Sequence, residues 1–116
     1  MSVRTKRIYE PAESADGTRI LVDRLWPRGV SKEDAALDRW IKGIGPSDEL
    51  RRWFDHDPER WDEFNTRYKD ELAHQQDVID ELRELAEDET VTLLYAAKDV
   101  DHNNAIVLKE VLEAGR

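Results

Sequence analysis

Two short stretches of this chain are almost continuously apolar, Arg19-Ile20-Leu21-Val22-Asp23 and Val91-Thr92-Leu93-Leu94-Tyr95-Ala96-Ala97. Runs of this length, rich in β-branched and aromatic residues, predict strands covered on both faces, the second of them parallel to its neighbours. Val3 to Tyr9 alternates only in part and runs into Glu10-Pro11 and Asp16-Gly17, so it predicts an outer strand followed by turns. The remaining apolar positions keep helical time. Trp61, Phe64, Tyr68 and Leu72 fall on one stripe, Val78, Ile79, Leu82, Leu85 and Ala86 on a second, and Ala105, Leu108, Val111 and Leu112 on a third.

The punctuation between these segments agrees with them. Ser31 stands three residues before Asp34, an approximate capping box that predicts a helical turn from Lys32. Gly43, Gly45 and Pro46 end whatever holds Leu37, Trp40 and Ile41, with a further strand at 40–44 as one reading. Ser47 predicts the start of a short helix carrying Leu50, Trp53 and Phe54 inward, and Asp57-Pro58 opens the next, with proline at the first helical position. A break is expected near His74 to Gln76, and Asp101 or Asn103 as the cap of the last helix. Helices on either side of a buried strand imply crossover connections. The pattern therefore predicts an α/β fold: a single small layered domain over residues 1–116, with a short, mostly parallel sheet flanked by helices.

Composition narrows the function. The chain has 116 residues, room for one core. Its 27 acidic residues outnumber 18 Lys and Arg, giving a net charge of −9 that opposes nucleic-acid phosphates and anionic lipid. A nucleic-acid role would need a compact basic face around Arg4, Lys6, Arg7, Arg24 and Arg28. No run approaches the length of about 20 apolar residues that spans a bilayer, and no apolar stretch follows the basic residues of the N-terminus. A cytoplasmic protein without a membrane partner is the expectation; its oligomeric state stays open. There is no cysteine, so disulfides, thiolate nucleophiles and cysteine-ligated metals are absent.

The two apolar strands each run into a polar cluster: Asp23, Arg24, Trp26, Arg28 and Gly29 after the first, Lys98, Asp99, His102, Asn103 and Asn104 after the second. If the strands are parallel neighbours, both clusters share the sheet edge at which α/β folds bind ligands. The residue types suit an anionic small molecule. Arg24 and Arg28 offer forked donors, Lys98 a compact charge, and Trp26, Gly29, Asn103 and Asn104 complete the binding set. Asp23, Asp99 and His102 are candidates for proton transfer, in a hydrolase or transferase. On that reading Arg24→Ala removes ligand-induced stabilisation and leaves the unliganded melting point nearly unchanged. The competing reading is structural: Asp23 paired with Arg24, Asp99 or Asp101 capping a helix, Arg28 on a solvated turn.

Other chemistries find less support. His56 between Asp55 and Asp57, and Asp99-x-Asp101-His102, contain metal-binding residue types but no three-ligand motif, so capping roles and no metal are expected. No dinucleotide loop, phosphate loop or nucleophile elbow is present, so no cofactor is expected, and Ser2, Ser14, Ser31 and Ser47 fall at the terminus, in turns or at caps. Trp40, Trp53 and Trp61 sit at core spacings, while Trp26 beside a proline could equally stack on a planar ligand. A second functional class is a non-catalytic sensor or protein-interaction module using the surface from Trp53 to Trp61, which requires an exposed aromatic patch there.

Several strings point to a family. Lys6-Arg7-Ile8-Tyr9-Glu10-Pro11, Leu21-Val22-Asp23-Arg24-Leu25-Trp26-Pro27-Arg28-Gly29, Trp53-Phe54-Asp55-His56-Asp57-Pro58-Glu59-Arg60-Trp61, and Leu93-Leu94-Tyr95-Ala96-Ala97-Lys98-Asp99 with His102-Asn103-Asn104-Ala105 resemble the YeaO-like branch of the "domain of unknown function 488" family. The resemblance runs from Arg4 to Leu112. It implies a small prokaryotic α/β protein and marks the two polar clusters, with His56, Asp57 and Pro58, as motif positions, but it assigns no reaction. Distant relatives look as though a cysteine pair occupies the last segment. Tyr95, Ala96 and Asn103 leave no thiol here.

Overall fold

The computed structural model describes residues 1–114. Strands β1 (Ser2–Arg7), β2 (Thr18–Leu21), β3 (Arg39–Trp40) and β4 (Thr90–Tyr95) form one sheet in the order β1-β4-β2-β3. Every pairing is parallel, with Ile20 against Leu93, Leu21 against Leu94 and Val3 against Val91. The two continuously apolar segments are thus the interior strands, and β1 lies at an edge. The strand considered at 40–44 is shorter and earlier: β3 pairs only through Arg39 and Trp40, and Lys42–Ile44 winds into a 3-10 turn. Gly43 and Gly45 close the extended stretch before it can lengthen.

Helices α1 (Lys32–Ala35), α2 (Asp48–Phe54), α3 (Trp61–Leu72), α4 (Gln76–Asp88) and α5 (Asn104–Ala114) fill the connections. Their caps are the ones the sequence offers. The Ser31 hydroxyl accepts from the Asp34 amide, Ser47 from Leu50, and Asp57 from Glu59 with Pro58 at the first position of a 3-10 turn that leads into α3. Asn103, not Asp101, caps α5, its side-chain oxygen accepting from the Ile106 amide at 3.1 Å. A 3-10 turn at Ala73–Gln75 separates α3 from α4.

Alternation along the interior strands divides the core between two faces. Ile20, Val22, Val91, Leu93 and Tyr95 join Phe64, Tyr68, Leu82 and Leu108 on the face covered by α2 to α5. Leu21 and Leu94 point to the other face, under Ile8, Ala35 and the half-buried Trp26 and Leu37. That second face also holds a buried charge network, in which Asp16 takes Lys6 at 3.1 Å and Arg19 at 2.5 Å while Thr92 donates to the Asp16 carbonyl.

Arginines close the loops. Arg7 donates to the carbonyls of Ala96 and Ala97, Arg19 to those of Ala35 and Ala36, Arg24 to those of Gly45 and Pro46, and Arg83 to those of Val111 and Leu112. A helix end or loop leaves carbonyls without backbone partners, and a planar guanidinium reaches two at once where an ammonium offers one point of charge. Four segments are pinned by one geometry.

Candidate functional site

Because β2 and β4 are hydrogen-bonded parallel neighbours, the loops that follow them leave the sheet side by side. The Val22 amide continues the ladder to the Leu94 carbonyl at 3.1 Å, and one residue later the chain changes from backbone to side-chain pairing. The Ala96 amide donates to the Asp23 carboxylate at 2.8 Å, and the Asn104 amide group donates to the Val22 carbonyl at 3.0 Å. Asp23 and Asn104 thereby staple the two loops and the start of α5 together.

A cleft of about 460 Å³ opens over this staple. Its floor is aromatic. Phe54 and Phe64 stack at 4.3 Å, and behind them, outside the lining, Trp61 lies 5.7 Å from Phe64 and 5.2 Å from the His102 ring, which it meets edge-on. Such pairs add about 0.5–1.5 kcal/mol each beyond their area. The cleft lining carries Arg24, Arg28 and Arg51 with the rings of His56 and His102, and one acid, Asp23; just outside it Arg51 meets Asp48 at 3.3 Å and His102 meets Asp99 at 2.8 Å. Two of the chain's three histidines are here.

Burial pushes the Asp23 carboxyl above the usual carboxylate range, opposed by the Ala96 amide, the Asn104 side chain and the charge of His56. Asp99 moves the other way. Amide donation from Asp101 and the bond with His102 hold it below that range, so it is an acceptor only. Its contact with Nδ1 of His102 at 2.8 Å therefore places the proton on Nδ1 and leaves Nε2 as the free ring nitrogen. Asp99 itself does not line the cleft; it orients His102.

The structure gathers seven of the ten sequence-selected residues around the cleft: Asp23, Arg24, Trp26, Arg28, His102, Asn103 and Asn104. Gly29, Lys98 and Asp99 stand outside its lining. Gly29 takes a left-handed φ of 74° with open space at its α-carbon, the mark of a turn. Arg24 is less free than expected, since its Nε and one Nη already donate to Pro46 and Gly45, both at 2.9 Å. A melting point indifferent to Arg24→Ala is therefore the wrong expectation. Asn103 is a cap and Asn104 a staple. Trp26 is fixed by Nε1 donation to the Val30 carbonyl at 2.8 Å and by the edge of Trp40 at 5.3 Å.

Arg51 and His56 line the cleft as well, and neither was among the residues expected there. Arg51 lies one turn before the end of α2, and its Nε is buried with no hydrogen-bond partner among the described residues. His56 follows Asp55, and both hold left-handed backbone, φ 54° and 47°, which turns the chain back towards the cleft. Only the amphipathic register of α2 hinted at Arg51.

Two other expectations change. Trp40 is exposed rather than core, and Trp53 and Trp61 are half-buried, because Arg60 and Arg67 cover the Trp53 face and His102 covers the edge of Trp61. The large exposed apolar residues are Tyr9, Leu25, Trp40 and Val100, so no aromatic patch spans Trp53 to Trp61. Of the five cations named for a basic face, Arg4, Lys6, Arg7 and Arg24 are spent on internal bonds. Among the described residues, no group of three or more His, Cys, Asp or Glu is placed to hold a metal ion, and no helix is long and apolar enough to cross a membrane.

Comparison with known sequences matches residues 2–115 to the model described as the inactive DUF488-N3 subclade. The chain is 46% identical over 114 residues to the uncharacterized protein YeaO of Escherichia coli K12, covering 98% of this chain and 99% of that protein. It is 44% identical over 110 residues to the uncharacterized protein Rv3073c of Mycobacterium tuberculosis, covering 95% and 92%. No solved structure matches it.

Proposed function

The chain belongs to the DUF488 family, within its inactive DUF488-N3 subclade, and we propose that it binds a small anionic molecule in the cleft over Asp23. One observation carries this reading. In a chain of net charge −9, the cleft collects three arginines and two histidines around one acid. Arg24 is held by two carbonyls, Arg51 by Asp48 at 3.3 Å and His102 by Asp99, so it is Arg28, together with the unpartnered Nε of Arg51, that favours a phosphate or carboxylate in this concave site.

Binding without turnover is the better supported form. The subclade is described as inactive, and the lining contains no Ser, Thr or Cys among the described residues to serve as a nucleophile. A second reading, a hydrolase or transferase needing no cofactor, rests on Asp23 with its raised carboxyl and on His102 with Nε2 free. Turnover of p-nitrophenyl phosphate that disappears in both Asp23→Asn and His102→Ala supports it; a rate equal to buffer removes it.

Thermal unfolding in phosphate, pyrophosphate and citrate, each matched in ionic strength with sodium chloride, tests the binding reading. At 100 times the dissociation constant a ligand adds about 2.7 kcal/mol, a rise of roughly 10 °C for a domain of this size. The double variant Arg28→Ala/Arg51→Ala should lose that rise. No stabilisation by any of the three anions beyond the salt control would overturn the proposal.

A further inference from the structure

We infer that the ligand is a planar ring joined to one phosphate and bearing a hydrogen-bond donor between them, the chemistry of a nucleoside monophosphate. The inference rests on the anion reading above and deepens it from three features of the same cleft.

The first is apolar surface left uncovered. Of the four large apolar residues exposed among the described residues, Tyr9 at 45% and Leu25 at 55% both line the cleft, and the half-buried Trp26 joins them. Scattered apolar residues on a convex surface need no explanation, but two of four gathered in one concave basic site do. A free phosphate or citrate has nothing to place against them.

The second is that these rings are already held. The Tyr9 hydroxyl donates to the Arg28 carbonyl at 2.9 Å, and the Arg7 guanidinium lies over one ring face at 4.8 Å, while nearly half of the residue stays exposed. Trp26 is fixed by the Val30 carbonyl and by Trp40. A ring stacking here orders nothing that is not ordered beforehand, which is how a binding site limits its entropic cost.

The third is the lone acid. Asp23 accepts from the Ala96 amide and lies beside the Asn104 side chain, and a carboxylate, with about four acceptor positions, keeps room for a further donor. It would repel a ligand that is only an anion. A sugar hydroxyl or ring amine between the phosphate and the planar group satisfies it. The volume of about 460 Å³ falls within the range of about 300–1,000 Å³ usual for such molecules.

Calorimetric titration of the full chain with AMP, GMP, CMP and UMP, alongside ribose 5-phosphate, inorganic phosphate and adenosine, tests this. At least one nucleoside monophosphate should bind tenfold or more tightly than ribose 5-phosphate. Tyr9→Ala should weaken that ligand roughly five- to 100-fold; Leu25→Ser, whose side chain holds no arginine, should weaken it as well and leave ribose 5-phosphate within about twofold. If ribose 5-phosphate binds as well as every nucleotide, the ring inference falls and the anion reading stands. If adenosine matches AMP, the anion reading falls; if none of the seven binds, both fall.

Discussion

The Ala96 amide donates to the Asp23 carboxylate at 2.8 Å, so the loop after β4 is held by the side chain that ends the extension of β2. The same carboxylate is the one acid in the cleft. Burial raises its pKa above the ordinary range, the first of the causes acting on it. An acid whose folded pKa is raised binds more protons folded than unfolded, so stability falls as pH rises from the ordinary carboxylate value through the folded one. Asp23→Asn keeps an oxygen for Ala96 and loses the charge. Melting curves from pH 3.5 to 8 should show the wild type losing stability relative to Asp23→Asn as pH rises, with the gap constant once Asp23 is ionised; parallel curves would contradict the raised pKa.

Arg24 and the Gly45-Pro46 turn form a second long-range clamp. Truncation removes two charged donors from part-buried carbonyls, and Arg24→Ala should cost about 1.5–3 kcal/mol in urea unfolding. Arg24→Lys should recover less than half of that, since an ammonium cannot span both carbonyls with the same planar fork. Gly45 must stay small beneath this clamp: a Cβ there would sit 2.7 Å from the Arg24 amide nitrogen.

Asp16 is fully buried between Lys6 and Arg19. Burial alone would raise its carboxyl, but the Glu13 amide with Lys6 and Arg19 outweighs that and holds it below the ordinary range. A depressed acid contributes stability that is complete above the unfolded pKa and is lost as pH falls towards the folded one. Asp16→Ala leaves the buried Arg19 guanidinium without its carboxylate and Lys6 with Glu13 alone, and should cost about 3–5 kcal/mol at pH 7. Its deficit against the wild type should shrink in acid, the opposite trend to Asp23→Asn.

Two glycines with positive φ separate strain from collision. Gly17 (φ 63°) precedes β2, and a Cβ there would collide with the Thr90 carbonyl oxygen of β4. Gly29 (φ 74°) has open space. Gly29→Ala should cost only the left-handed penalty of about 1–2 kcal/mol, whereas Gly17→Ala should cost clearly more, because the backbone of an interior strand must shift as well. Melting temperatures of the two variants measure the difference directly.

Sequence alone determined the parts whose physics is local. Ile20 to Val22 and Val91 to Tyr95 have the form of strands buried on both faces, and Ser31, Ser47 and Asp57-Pro58 announce helices, because a cap or a hydrophobic run is written within a few residues. It also drew the two polar clusters to one sheet edge, given parallel neighbours. The tertiary structure decided the rest. The order β1-β4-β2-β3 depends on pairings up to 88 residues apart, as between Ser2 and Thr90. Whether an arginine serves a ligand or a loop depends on which distant carbonyls the fold leaves unpaired, so Arg24 became a clamp while Arg51 and His56, from another element, joined the cleft. Lys98 and Asp99 sit beside the staple in sequence and outside the cleft in space, since a turn after a strand sends neighbouring side chains in different directions.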